Sequence, residues 1–206
     1  MRRRGGGVME HFHLVRNKRN HIGGRMMEHV AQNRSAEAYQ RAFDYERDYG
    51  NCAQATLKAL LDVFNEDNEV AYRGMGSFAG GGGAEGDGSC GAYVGSLFYI
   101  GMKYGRRFSD IGKDPEDPEV IKAWEENQAL VKKVHERFIE KYGTVVCHQI
   151  QRKLFGRVYY TPDQEQYEKF LQAGGHDTMC PSLCGDAARW TVKAIEEHKR
   201  EYCTKT

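Results

Sequence analysis

The sequence predicts an all-α fold: a single compact multi-helix domain with a glycine-rich loop and with cysteines at the N-termini of its helices. Apolar residues recur at helical spacing along most of the chain, and only Arg157–Tyr160 has the pattern of an extended segment. Hydrophobic residues make up 40% and charged residues 29%, a balance that indicates a globular chain and excludes wholesale disorder. The longest apolar stretch, Val94–Met102, is too short to span a bilayer.

Start and stop signals divide the first part of the chain into two helices. The first is predicted from an N-cap at Ser35 to about Tyr49, and Gly50 ends it; its buried side should hold Tyr39, Ala42 and Phe43. The second follows the cap Asn51, and its apolar stripe comprises Cys52, Ala55, Thr56, Ala59, Leu60, Val63 and Phe64.

Later helices follow a glycine-rich segment. The run of glycines over 80–88 predicts a loop, because glycine adopts left-handed backbone conformations without steric cost. A third helix over about 89–100 is expected to start at a cap, Asp87 or Ser89. A fourth runs from about 119 to 142, with Gly143 as its C-cap; its inward residues should be Trp124, Leu130 or Val131, Val134, Phe138 and Tyr142. Further helices are predicted over about 145–155, 163–173 and 181–202.

Charge divides the chain unevenly. Residues 1–34 carry a net charge of +6, and the remainder carries −5. We therefore interpret 1–34 as a basic, weakly ordered N-terminal extension, of which 1–26 should be dispensable, and 35–206 as the helical cysteine-containing domain. The acidic domain argues against nucleic acid as a partner.

Six cysteines are spread along the chain, which carries no evident secretory signal. This usage predicts a cytoplasmic protein rather than a disulfide scaffold. Four of the six open predicted helices, where unpaired backbone N–H groups and the helix dipole favour a thiolate: Cys52, Cys90, Cys147 and Cys180. Cys90 is the strongest candidate for a reactive or ligating sulfur, because the glycine loop should expose it and the helix start should lower its pKa.

Other interpretations of these residues stay open. Cys52 shares a stripe with core residues, so on periodicity alone a buried packing role is the better explanation, although Cys52 also lies at a helix start. His176, Cys180 and Cys184 have a four-residue spacing that suits metal chelation but also arises by chance. Gly91 and Gly95 lie one helical turn apart and predict close approach of a neighbouring helix or of the site itself.

Four segments in this order resemble the C_GCAxxG_C_C family: Asn51–Ala55, Gly88–Gly95, Cys147 and Cys180–Pro181. The resemblance covers about 35–200 and implies a small helical domain with a redox role. It implies Cys52 and Cys90 as reactive residues, and Cys52, Cys90, Cys147 and Cys180 as a ligand set. The motif glycines expected to border a cofactor are Gly88, Gly91 and Gly95. Cys184, Cys203 and the basic extension depart from the pattern.

Three hypotheses follow. The first is a redox-active or electron-transfer protein in which four cysteines hold an iron–sulfur cluster or work as dithiol pairs. The second is a structural zinc site built from the same sulfurs, and the third is a helical interaction module with inert cysteines. The first implies a redox partner protein, with a membrane electron-transport component as one candidate, and leaves a homo-oligomer open.

Overall fold

The computed structural model describes residues 30–203, with side chains through Glu201. This part of the chain forms eight α-helices and, apart from one isolated antiparallel bridge between Ser89 and Val146, no β structure. The all-α prediction is confirmed. The helices are α1 (30–49), α2 (Cys52–Val63), α3 (Glu69–Gly74), α4 (Gly91–Tyr104), α5 (Pro118–Tyr142), α6 (Cys147–Phe155), α7 (Gln164–Gln172) and α8 (Cys180–Cys203).

Helix α1 differs from its prediction at its beginning. The chain is already helical at residue 30, so Ser35 lies inside α1, where its hydroxyl donates to the carbonyl of Gln32 at 2.9 Å. Arg34, which the sequence placed in the extension, forms an ion pair with Glu196 of α8. Residues 30–34 thus belong to the folded part, while the rest of the predicted extension, including 1–26, lies outside the described residues.

The buried face of α1 also differs from its prediction. A stripe at helical spacing faces the core: Ala31, Ser35, Ala38, Ala42 and Glu46. Of the predicted inward residues, Ala42 is buried, whereas Tyr39 and Phe43 are only half-buried. The small side chains of this stripe allow α1 to pack closely on the core, and the rings of Tyr39 and Phe43 lie at the edge of the contact. The Tyr39 ring is 2.7 Å from the position that a Cβ on Gly185 of α8 would occupy.

Helix α2 lies at the centre of the fold and packs against both α4 and α8. Asn51 caps it as predicted, since its side chain accepts the N–H of Gln54 at 3.2 Å. The predicted stripe from Ala55 to Val63 is buried.

The predicted close approach at Gly91 and Gly95 is confirmed. A Cβ on Gly95 would lie 2.7 Å from the Ala53 carbonyl oxygen and 3.2 Å from the Thr56 Cβ. Both of these neighbours belong to α2, so the glycines let the backbones of α2 and α4 touch. This contact positions the N-termini of the two helices side by side.

Helix α5 matches its prediction except at Trp124. Asp117 caps its N-terminus and Gly143, with φ of +75°, ends it. Four of its predicted inward residues are buried: Leu130, Val134, Phe138 and Tyr142. Trp124 is instead 52% exposed, because its ring turns outward to pack under the Arg106 guanidinium at 5.6 Å. Among the helices described here, none combines the length and apolar character needed to cross a bilayer.

Candidate functional site

A cavity of about 360 Å³ lies where the N-termini of several helices meet. Four cysteines from four different helix starts line it: Cys52, Cys90, Cys147 and Cys180. The structure therefore brings together the cysteines that the sequence predicted to share one site. Apolar side chains from α6, α7 and α8 form much of the remaining wall.

Cys52 is the cysteine whose surroundings favour a thiolate. A hydrogen bond from the Cys90 thiol is the largest cause that lowers the pKa of Cys52, and backbone N–H groups of Gly80 and Gly91 act in the same direction against the effect of burial. Gly91 is the first residue of α4, so the Cys52 sulfur rests on the N-terminus of a neighbouring helix. A Cβ on Gly91 would lie 2.5 Å from that sulfur, so only glycine permits this arrangement.

Cys90 was predicted to be an exposed thiol with a lowered pKa, and the structure shows neither property. The bridge between Ser89 and Val146 covers this segment, and Cys90 is only 5% exposed. Cys90 itself is the N-cap of α4, in place of the predicted Asp87 or Ser89, and its N–H donates to the Val145 carbonyl at 2.7 Å. Its hydrogen bond to Cys52, followed by burial, raises the pKa of the Cys90 thiol. Of these two cysteines, Cys52 is therefore the one whose pKa is lowered, and its sulfur is the better placed to carry a negative charge.

Cys147 and Cys180 also open helices, yet their thiols are held neutral. The N–H of Cys147 already donates to the Gly88 carbonyl at 3.0 Å, and burial raises the pKa of Cys147 to about 12. Cys180 follows a π-helical turn, Gly175–Met179, so its N–H is bonded to the Gly175 carbonyl. Burial raises the pKa of Cys180, and the Glu46 carboxyl raises it further.

Cys184 adds a fifth sulfur beside the site. It is fully buried, and its Sγ lies 3.7 Å from the Cys52 carbonyl oxygen. Burial raises the pKa of its thiol. Cys203 ends α8, beyond the last described side chain.

The glycine segment forms part of the cavity and covers the start of α6. Its backbone turns through left-handed conformations at several glycines, including Gly81. A Cβ on Gly81 would lie 2.9 Å from the Gly86 backbone and 3.0 Å from the Cys147 Cβ, so the segment packs tightly on itself and on α6. Gly88 likewise packs against Gly81, whose carbonyl oxygen would be 2.3 Å from a Cβ. Of the glycines predicted to border a cofactor, Gly91 contacts a cysteine sulfur, whereas Gly88 contacts backbone and Gly95 contacts the backbone and the Thr56 side chain of α2.

Glu46 and His176 form a polar pair in the cavity wall. The Glu46 side chain is 1% exposed, and its Oε1 lies 3.0 Å from His176 Nδ1. Burial raises the pKa of Glu46, and the hydrogen bond from His176 lowers it. Glu46 was not among the predicted site residues, although the spacing of Ala38 and Ala42 continues to it and would have marked an acidic residue on a buried stripe.

The sequence predicted that these four cysteines hold a metal. Within residues 30–203, no three His, Cys, Asp or Glu side chains are grouped closely enough to hold a metal ion. A tetrahedral zinc site needs four ligands around one point, so the described side chains as arranged do not fit it. Four cysteine thiolates are the usual ligands of an iron–sulfur cluster, and four cysteines line this cavity.

The buried thiols predict a loss of stability at alkaline pH. Their raised pKa values keep them protonated in the folded state, whereas unfolded thiols ionise above about pH 8.5. The unfolded state then binds fewer protons, so the free energy of unfolding falls as pH rises. Cys52, with its lowered pKa, has the opposite effect: it contributes stability above its unfolded pKa that is lost as pH falls through its folded pKa.

Urea unfolding at pH 7.5 and 9.5 under strong reductant measures this loss. Cys147→Ala should reduce the pH-dependent loss by about 1.4 kcal/mol, the effect of one thiol over one pH unit above 8.5. An identical pH dependence in the two proteins would contradict the raised pKa of Cys147.

Fold and site together define a helical protein with a multi-cysteine cavity. The chain matches the family described as "Putative redox-active protein (C_GCAxxG_C_C)" over residues 50–194. That span is well over half of the sequence and contains all four cavity-lining cysteines, so the protein belongs to this family. No curated protein and no solved structure matches the chain.

Proposed function

We propose that the protein carries out thiol–disulfide redox chemistry at Cys52 and Cys90. The observation that carries this proposal is that Cys52 and Cys90 line one cavity, where the neighbouring Cys90 thiol lowers the pKa of Cys52. A thiolate is the nucleophile in disulfide exchange, and a neighbouring neutral thiol can resolve the resulting mixed disulfide. Family membership supports a redox role in general terms.

The two cysteines have distinct roles in this proposal. Cys52 is half-buried and has a lowered pKa, so it attacks the oxidant; Cys90 is buried and has a raised pKa, so it acts second. Starting from a Cys52 thiolate and a Cys90 thiol, oxidation forms one sulfur–sulfur bond, transfers two electrons to the oxidant and releases the proton of Cys90. Return to the dithiol state requires a reductant, the role that a redox partner protein would fill.

An iron–sulfur cluster is the second candidate, favoured by the four thiols lining a single cavity. Cys52, Cys90, Cys147 and Cys180 would hold it, and when bound it would supply one-electron transfer. Such a cluster would occupy the same sulfurs, so the two candidates exclude each other at any one time.

Anaerobic purification followed by measured oxidation tests both candidates. For the dithiol function, we expect protein without stoichiometric iron or sulfide that gains a Cys52–Cys90 disulfide, located by peptide mass spectrometry, on titration with a disulfide oxidant. Visible absorption with stoichiometric iron and acid-labile sulfide would support the cluster instead. Protein that holds neither cluster nor disulfide would eliminate both candidates.

A further inference from the structure

The Glu46 carboxyl has one oxygen with no protein partner among the described residues. While Oε1 is paired with His176, Oε2 is fully buried and accepts no hydrogen bond. A buried oxygen left without a donor costs free energy, so such an atom in a native protein calls for a physical explanation, of which a bound donor is one. Glu46 lines the same cavity as Cys52 and Cys180, so that partner would be located beside the sulfurs.

The rest of the cavity suits a small organic molecule. Its volume of about 360 Å³ is within the range of small-ligand sites. Its walls are largely apolar and aromatic, with contributions from Ile150, Leu154, Phe155, Phe170 and Leu183. The redox sulfurs lie inside this cavity, so an oxidant has to enter it to reach Cys52.

We propose that the cavity binds a small organic disulfide that carries an ammonium group, with the ammonium on Glu46 Oε2 and the disulfide at Cys52. This inference rests on the dithiol function proposed above and adds the substrate class. An ammonium donates the hydrogen bond that Oε2 lacks, and its charge favours the ionised carboxylate. The aliphatic body of such a molecule fits the apolar wall.

The exchange is balanced as follows. The Cys52 thiolate attacks one sulfur of the bound disulfide, forms a mixed disulfide and expels the first thiolate. That thiolate takes the proton of Cys90, and the Cys90 sulfur then attacks Cys52, closing the Cys52–Cys90 bond and expelling the second thiolate, which is protonated from water. Two protein thiols are oxidised, and one small disulfide is reduced to two thiols.

Three small disulfides of different charge test the substrate class. Reduced full-length protein is mixed with cystamine, which is cationic, with 2-hydroxyethyl disulfide, which is neutral, or with 3,3′-dithiodipropionate, which is anionic. Each rate of Cys52–Cys90 disulfide formation is divided by the rate at which the same reagent oxidises dithiothreitol. We expect the normalised rate for cystamine to exceed that for the neutral reagent by about tenfold or more, and that for the anion to be lowest.

Glu46→Gln keeps the shape of the side chain and removes its charge, so it should abolish most of the cystamine preference. Glu140→Gln is the matched control, because it removes the same charge from an exposed residue paired with Arg137; its preference should equal that of the wild type. Equal normalised rates for the three reagents in the wild type would overturn the inference whether or not the Glu46→Gln variant folds, as would a preference that survives this substitution. Failure of every reagent to form the Cys52–Cys90 disulfide would instead refute the dithiol function itself.

Discussion

Gly95→Leu is expected to destabilise the protein by about 3 kcal/mol or more, near the upper end of measured overpacking costs. The first side-chain carbon would already lie 2.7 Å from the Ala53 carbonyl oxygen, and a leucine adds three more carbons in the same space. The obstructing atoms include backbone of α2, which cannot move aside as the end of a flexible side chain can. Urea unfolding monitored by circular dichroism measures the loss.

Gly101→Leu on the same helix is the matched control. Apart from its chain neighbours and the nearby backbone of α4 itself, no atom of residues 30–203 lies within 4 Å of a Cβ at this exposed position. Leucine favours a helix interior over glycine, so this variant should be as stable as the wild type or gain up to about 1 kcal/mol. A Gly95→Leu protein as stable as the Gly101→Leu protein would show that α2 and α4 do not touch as described.

The helices could be predicted because their signals are local. Asn51, Asp117 and Gly143 act on backbone groups within a few residues, so a cap or a stop is visible in the sequence alone. The start of α1 was misplaced because Ser35, although a good cap, lies within a segment that stays helical upstream and packs on α8. Which face of α1 is buried depends on that packing, and this is why Glu46 was missed.

The grouping of the cysteines could also be predicted, but their electrostatics could not. The four cavity-lining cysteines were correctly predicted at helix starts. The effect of a helix N-terminus on a thiol pKa, however, depends on where its N–H groups point. The amides of Cys90 and Cys147 are already bonded to carbonyls across the fold, while the Cys52 sulfur uses the N-terminus of α4 instead of that of its own helix. Only the tertiary structure determines which sulfur lies at which helix N-terminus. The lowered pKa therefore belongs to Cys52 and not, as the sequence predicted, to Cys90.

Serine substitutions should separate the roles of the two cysteines. With cystamine as the oxidant, Cys90→Ser should accumulate a stable mixed disulfide on Cys52, because the thiol that resolves it is absent. Cys52→Ser should react at least about tenfold more slowly, since burial still raises the pKa values of the remaining thiols and only a small fraction would be ionised at pH 7. Intact-protein mass spectrometry over time, followed by peptide mapping, measures both the rate and the position of the adduct.

Cys147→Ser is the control, because it removes a cavity thiol and keeps both Cys52 and Cys90. This variant should form the Cys52–Cys90 disulfide at the wild-type rate. The opposite pattern, a trapped adduct on Cys90 in Cys52→Ser, would reverse the assignment and restore Cys90 as the nucleophile. The structure favours Cys52 because its sulfur receives donors from Cys90, Gly80 and Gly91 together, whereas Cys90 donates its only proton to Cys52. A sulfur that accepts three hydrogen bonds is the one on which negative charge is retained, and it is therefore the sulfur that attacks first.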